Sequence, residues 1–193
     1  MAYDALAESV RLIESRELQP VLRLSRRRRF AAMSVDIADD VAVTTFARRG
    51  VGCLWSETHI LVQRQGLWQM VGGGGASEDE NLLGPRPGHL PAGPVDLRAT
   101  KQGVDPRVFV IGGGGGVSVP GSGQWPRRSR WISYVDIRVN ADVVSIVVDG
   151  RRIPVPWHGR LAVLGGRRGS FELALYDGAG RLLGTVRAQH PKG

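Results

Sequence analysis

The sequence predicts a mainly β protein with one helical segment at its N-terminus. Three observations carry that prediction. From Met33 onward, apolar residues recur with a period of two in short runs, the pattern of half-buried strands. Glycine makes up 27 of the 193 residues, about twice the usual share of roughly 7%, so turns are frequent and long helices few. Asp-Gly, Gly-Gly and similar pairs separate the alternating runs, and tight hairpins need such residues because they tolerate positive φ.

The opening segment, residues 1–32, is helical in its pattern. Leu6, Val10 and Ile13 recur at intervals of four and three, with Asp4 placed to cap the first turn. Gln19–Pro20 either ends this helix or begins a second short one through Arg29, proline being tolerated in a first turn. Residues 33–75 then read as a β-meander. Its strands are "VAVTTF" (41–46), "GCLW" (52–55), "HILVQR" (59–64) and "LWQMV" (67–71), with connections at Arg49–Gly50, Ser56–Glu57 and Gln65–Gly66.

Residues 76–126 form a Pro/Gly-rich connection. Its first 31 residues, 76–106, hold no sustained period, so they read as a linker or functional loop. The stretch "VFVIGGGGGVSVPGSGQWP" (108–126) has the length of a membrane span but the wrong content, since seven Gly and two Pro leave too few apolar side chains. It is no phosphate cradle either. Glycines at offsets 0, 2 and 5 are absent, and no helix can open on "VSVPGSGQWP". It reads as a strand end leading into a loop. "LWQMVGGGG" (67–75) has the same shape, a hint of a repeated unit.

Residues 127–188 carry the clearest signal. "RWISYVDIRV" (130–139), "VVSIVV" (143–148), "RIPVPW" (152–157), "RLAVL" (160–164), "SFELALY" (170–176) and "RLLGTVR" (181–187) are six short strands separated by turn residues. At this spacing they make a small antiparallel β-sandwich, similar in outline to an immunoglobulin domain. Residues 189–193 are a tail.

Charge gives the functional reading. The formal net charge is +8. Residues 1–100 contribute 12 basic against 12 acidic side chains, and residues 101–193 contribute 14 against 6, so the second half carries the whole excess. A one-sided excess suits an anionic partner, although 24 of the 26 basic residues are arginine, a ratio that a GC-rich genome also produces. Two clusters stand out. "SRRRRF" holds Arg26, Arg27, Arg28 and Arg29, expected at a helix end, and "QWPRRSRW" interleaves Trp125 and Trp131 with Arg127, Arg128 and Arg130. Arg151, Arg152, Arg167 and Arg168 fall near hairpin ends and are expected on the same rim. Guanidinium forks pair with phosphates and carboxylates, and exposed tryptophans offer stacking surfaces for bases.

Catalytic chemistry finds little support. His59, His89, His158 and His190 are scattered, and the single Cys53 excludes an internal disulfide or a cysteine-rich metal site. Cys53, Glu57 and His59 would share a face if 53–59 were one strand, but Cys53 reads more simply as a small buried apolar residue. "DIADD" (36–40) reads as a solvated turn, lacking the glycine and distal Glu of a calcium loop. No cofactor, metal or membrane partner is expected. Asp4, Glu8 and Glu14 do not suit a secretory leader, so the expected compartment is the cytoplasm. The expected function is a non-enzymatic interaction module whose basic C-terminal half binds nucleic acid or an acidic protein surface. The alternative is a structural or assembly protein that self-associates or pairs through its sheet edges.

Overall fold

A computed structural model describes residues 3–91, 104–120, 129–165 and 170–189. Helix α1 (Ala5–Ser15) comes first, capped by Asp4, whose carboxylate accepts from the Ala7 N–H at 3.0 Å. It ends where Arg16 turns left-handed at φ 54°. No second helix follows, because residues 16–29 run irregularly to the first strand. The four arginines therefore stand on a loop rather than at a helix end.

Among the described residues, eleven strands lie in three antiparallel sheets. The first sheet is a meander of β1 (Phe30–Ala38), β2 (Val41–Arg49), β3 (Leu54–Arg64) and β4 (Leu67–Glu78), in that order. The second has the order β5 (Phe109–Pro120), β6 (Ser129–Val139), β9 (Arg160–Leu164). The third is ordered β11 (Leu182–Gln189), β10 (Ser170–Tyr176), β7 (Ser145–Val148), β8 (Arg151–Pro154). The mainly β architecture with one N-terminal helix is thus as the sequence predicts. Asp149–Gly150 forms the β7–β8 hairpin with both residues at positive φ, as Asp-Gly turns require.

Three local expectations differ. Ser56–Glu57 is not a turn, because β3 runs unbroken from Leu54 to Arg64 and pairs along its whole length with β4. Gly72–Gly75 belong to β4, and Gly112–Gly116 belong to β5, paired with β6 from Phe109↔Val139 to Pro120↔Ser129 around a register shift at Gly112. Glycine disfavours strands on its own, so local propensity points away from an extended chain there. The pairing supplies the reason for the residue type. A Cβ on Gly114 would lie 2.6 Å from the Tyr134 carbonyl oxygen, and one on Gly116 would lie 2.7 Å from that of Ile132. Only a bare backbone fits so close to β6.

The second sheet is buried on both faces, because β6 alternates toward two cores. Ile132 and Tyr134 join Val41, Val43, Ile60 and Val62 of the meander, while Val135, Ile137 and Val139 join Ile146, Phe171, Leu173 and Leu175 of the third sheet. The meander and the C-terminal strands therefore share a core. On the outer face of the meander, Ile13 of α1 packs on Ala42 and Leu61.

The segment after β4 packs over one end of this stack. Leu82 and Leu83 are buried with Met33 and Ala47, the Trp157 indole N–H donates to the Leu83 carbonyl at 3.0 Å, and Asn140 donates to the Gly88 carbonyl at 2.9 Å. This part of the connection is built into the fold.

Candidate anion-binding site

The Arg26–Arg29 loop is shaped by a tight turn. The Ser25 N–H donates to the Arg28 carbonyl at 2.9 Å, and the Arg28 N–H returns a bond to the Ser25 hydroxyl at 3.0 Å. This closure puts Arg26 and Arg27 at the tip. The Arg49 N–H donates to the Arg29 carbonyl at 2.8 Å, tying the loop to the first ladder pair of the meander. All four arginines are exposed, and all four line one pocket of about 610 Å³ between the loop and α1. Its apolar floor is Leu12, Phe30, Ala31 and Phe46.

The charges of the pocket are unevenly satisfied. Arg11 on the α1 wall is held by both Glu8 oxygens at 2.9 and 2.8 Å. Arg28 donates to the Gln19 side chain at 3.3 Å, a neutral partner. Among the described residues, Arg26, Arg27 and Arg29 have no side-chain partner. Three guanidiniums thus face water around one concavity, where they can supply paired donors to phosphate or carboxylate oxygens.

The remaining predicted arginines divide. Trp125, Arg127, Arg128, Arg167 and Arg168 lie outside the described residues. Arg130 is paired with Asp40 at 2.6 Å. Arg151 and Arg152 do not share a rim, because neighbouring strand residues point to opposite faces. Arg151 turns inward to the buried Asp36 carboxylate and donates to the Leu164 carbonyl at 3.1 Å. Arg152 turns outward, donates to the Ser145 hydroxyl at 2.8 Å and lies 4.8 Å from the Tyr176 ring centre. Arg151 is therefore a structural cation. Trp131 is half-exposed, its ring laid over the bare backbone of Gly116.

Asp36 likewise departs from the solvated turn expected of "DIADD". It is buried, and burial pushes its carboxyl up against the opposing pull of Arg151. Arg138 and Arg160 both bind Glu80, and although burial works the other way these two charges bring its carboxyl below the usual range. Much of the positive charge in the described C-terminal half is thus matched inside the fold. The unmatched cluster sits in the N-terminal half, whose charge sums to zero. A whole-segment sum hides a local excess, and the run of four arginines was the signal that revealed it.

Glu57 and His59 do share a face, as one strand requires, but that face lies under α1. The Ser9 hydroxyl meets His59 Nδ1 at 3.2 Å and the Thr44 hydroxyl at 2.9 Å, while Arg48 donates to Glu57 at 2.5 Å. Ser9 is fully buried, so this cluster seats the helix on the meander. Burial lowers the His59 pKa despite the nearby Glu57 charge. Cys53 stands just outside β3, half-buried and free. Among the described residues no group of three or more His, Cys, Asp or Glu could hold a metal ion, and no helix is long and apolar enough to cross a membrane.

Together these features define a class: a stack of three β-sheets carrying a cationic pocket beside the N-terminal helix α1. No family model, curated protein or solved structure matches the chain.

Proposed function

We propose that this protein is a non-enzymatic interaction module that binds an anionic partner through the pocket between α1 and the Arg26–Arg29 loop. One observation carries the reading: four consecutive arginines line a single concavity, and three of them have no side-chain partner among the described residues. Guanidiniums without an internal partner give up no existing contact when they meet an anion, and the apolar floor gives a base or an apolar side chain somewhere to rest. Binding is electrostatic in the main, and no helix suited to a major groove lies beside the cluster.

The test is fluorescence anisotropy with two labelled probes, a 12-nucleotide oligo-dT and a peptide of alternating Glu and Ser. If about four phosphates are neutralised, affinity for the oligonucleotide falls about 50-fold between 50 and 200 mM salt. The R26S/R27S/R28S/R29S variant is expected to lose that binding while keeping the wild-type circular dichroism. Preference for the acidic peptide identifies a protein surface as the partner. Failure of both probes at 50 mM salt, or unchanged binding by the variant, overturns the reading.

A further inference from the structure

The two glycine strands lie at the open edges of their sheets. β4 ends the first sheet and β5 ends the second, and no ladder joins them. They nonetheless approach, since a Cβ on Gly72 would lie 3.2 Å from the Val117 Cβ. Gly73, Gly74, Gly112, Gly113 and Gly114 are exposed, so no side chain screens the backbone of either strand at these positions. Native sheets usually blunt such edges with charge, proline or cover. In β5 the side-chain-free part is Gly112–Gly116, the strand ends in Pro120, and among the described residues no strand pairs with its outer edge.

What lies behind the glycines differs from an ordinary core. Tyr134 of β6 reaches across, its hydroxyl 3.6 Å from where a Gly74 Cβ would stand. Asp136 of β6 lies behind Gly113, its Oδ2 3.8 Å from the corresponding Cβ position. No hydrogen bond or ion pair from a described residue reaches the Asp136 carboxyl, and burial alone raises its pKa. Its neighbour Arg138 is occupied by Glu80 at 3.0 and 3.2 Å. A carboxylate without a partner thus sits one strand behind a side-chain-free edge.

We propose that the free edge of β5 takes an extended peptide strand, from a partner protein, that carries a basic side chain onto Asp136. Main-chain hydrogen bonds to β5 supply the docking, as in strand addition elsewhere. The added strand would lie about 10 Å from β6, two strand spacings away. A lysine or arginine spans that gap only because Gly113, directly between, has no side chain. The glycines thus serve two ends. They let β5 lie against the β6 backbone, and they leave a passage to the acid.

The test uses the full chain labelled with ¹⁵N and three end-capped heptapeptides, Thr-Val-Thr-X-Thr-Val-Thr, in which X is Arg, Gln or Glu. The Arg peptide is expected to shift the amide signals of Gly112–Gly116 and to bind at least tenfold more tightly than the Gln peptide, with the Glu peptide weakest. D136N removes the preference for Arg while leaving Gln-peptide binding in place. Should D136N misfold, G113V, which fills the passage, is expected to remove the same preference. Equal affinities for the three peptides, shifts confined to other regions, or no shift at millimolar peptide overturn the proposal. So does broadening of the glycine signals with protein concentration alone, which identifies a second copy as the occupant.

Discussion

Arg151 of β8 donates to the Asp36 carboxylate of β1 and to the Leu164 carbonyl of β9, so one side chain touches all three sheets. Asp36 completes the junction by accepting from the Leu164 N–H at 2.8 Å. Beside it, the Ser34 hydroxyl accepts from the Ala162 N–H at 3.1 Å. Side chains of β1 therefore hold the edge of β9 where a strand ladder would otherwise run. Removing one charge leaves the other buried without its partner, which costs more than the pair contributes. R151M is expected to lower stability by about 3 kcal/mol. The double variant D36N/R151M is expected to lose at least about 1 kcal/mol less than the sum of the single losses. Urea denaturation of the four proteins checks this, and simple additivity would show that the contact does not couple the sheets.

Two turn glycines with positive φ differ in their surroundings. Gly150 at φ +76° has open space where a Cβ would stand, whereas Gly159 at φ +72° has the Val139 carbonyl and the Arg86 side chain there. G150A is expected to cost about 1 kcal/mol through backbone strain alone. G159A adds a clash with fixed backbone and is expected to cost at least about 2 kcal/mol more, within the range for overpacking. Thermal denaturation of the pair distinguishes the two contributions.

His158 is seated as a neutral ring. Its Nε2–H donates to the Met33 carbonyl at 3.1 Å, and its Nδ1 accepts from the Arg160 N–H at 3.1 Å. A second ring proton would face that N–H, and burial holds the pKa down at about 4. Because the folded value lies below the ordinary 6.5, this contribution is complete above pH 6.5 and is lost as pH falls toward 4. The loss is about 3 kcal/mol over that window. H158Q is expected to flatten this part of the stability curve. An unchanged slope in urea titrations between pH 7 and 4.5 would count against a neutral buried ring.

Asp136 has the opposite sign. Burial raises its carboxyl to about 6, above the ordinary value, so its contribution is intact at low pH and fades as pH rises through 6. D136N is therefore expected to be more stable than the parent at pH 8, by up to about 3 kcal/mol, and close to it at pH 3.5. A gain in stability on removing an ionisable group marks a position kept for something other than folding. Equal stability of the two proteins at both pH values would remove that argument.

The strands of the C-terminal region were legible because alternation and turn chemistry are local. Runs such as Phe171, Leu173 and Leu175 declare a buried face, and Asp149–Gly150 declares a turn, without reference to any distant residue. The helix under Asp4 was legible for the same reason. β4 and β5 were not, because nothing in a glycine run favours an extended chain until a neighbouring backbone lies too close for a side chain. The "DIADD" run showed three acids near a turn, yet which one would be buried depended on Arg151, 115 positions away. The four arginines were visible as a cluster, but the concavity they share was made by α1 and the Ser25–Arg28 turn.

The sequence by itself determined the β content, the terminal helix and most strand positions, since period and turn propensity act between near neighbours. Tertiary structure alone decided which charges are neutralised, which glycines are strand, and which sheet edges stay open. Those outcomes depend on contacts between segments remote in the chain, where partner, register and distance enter together.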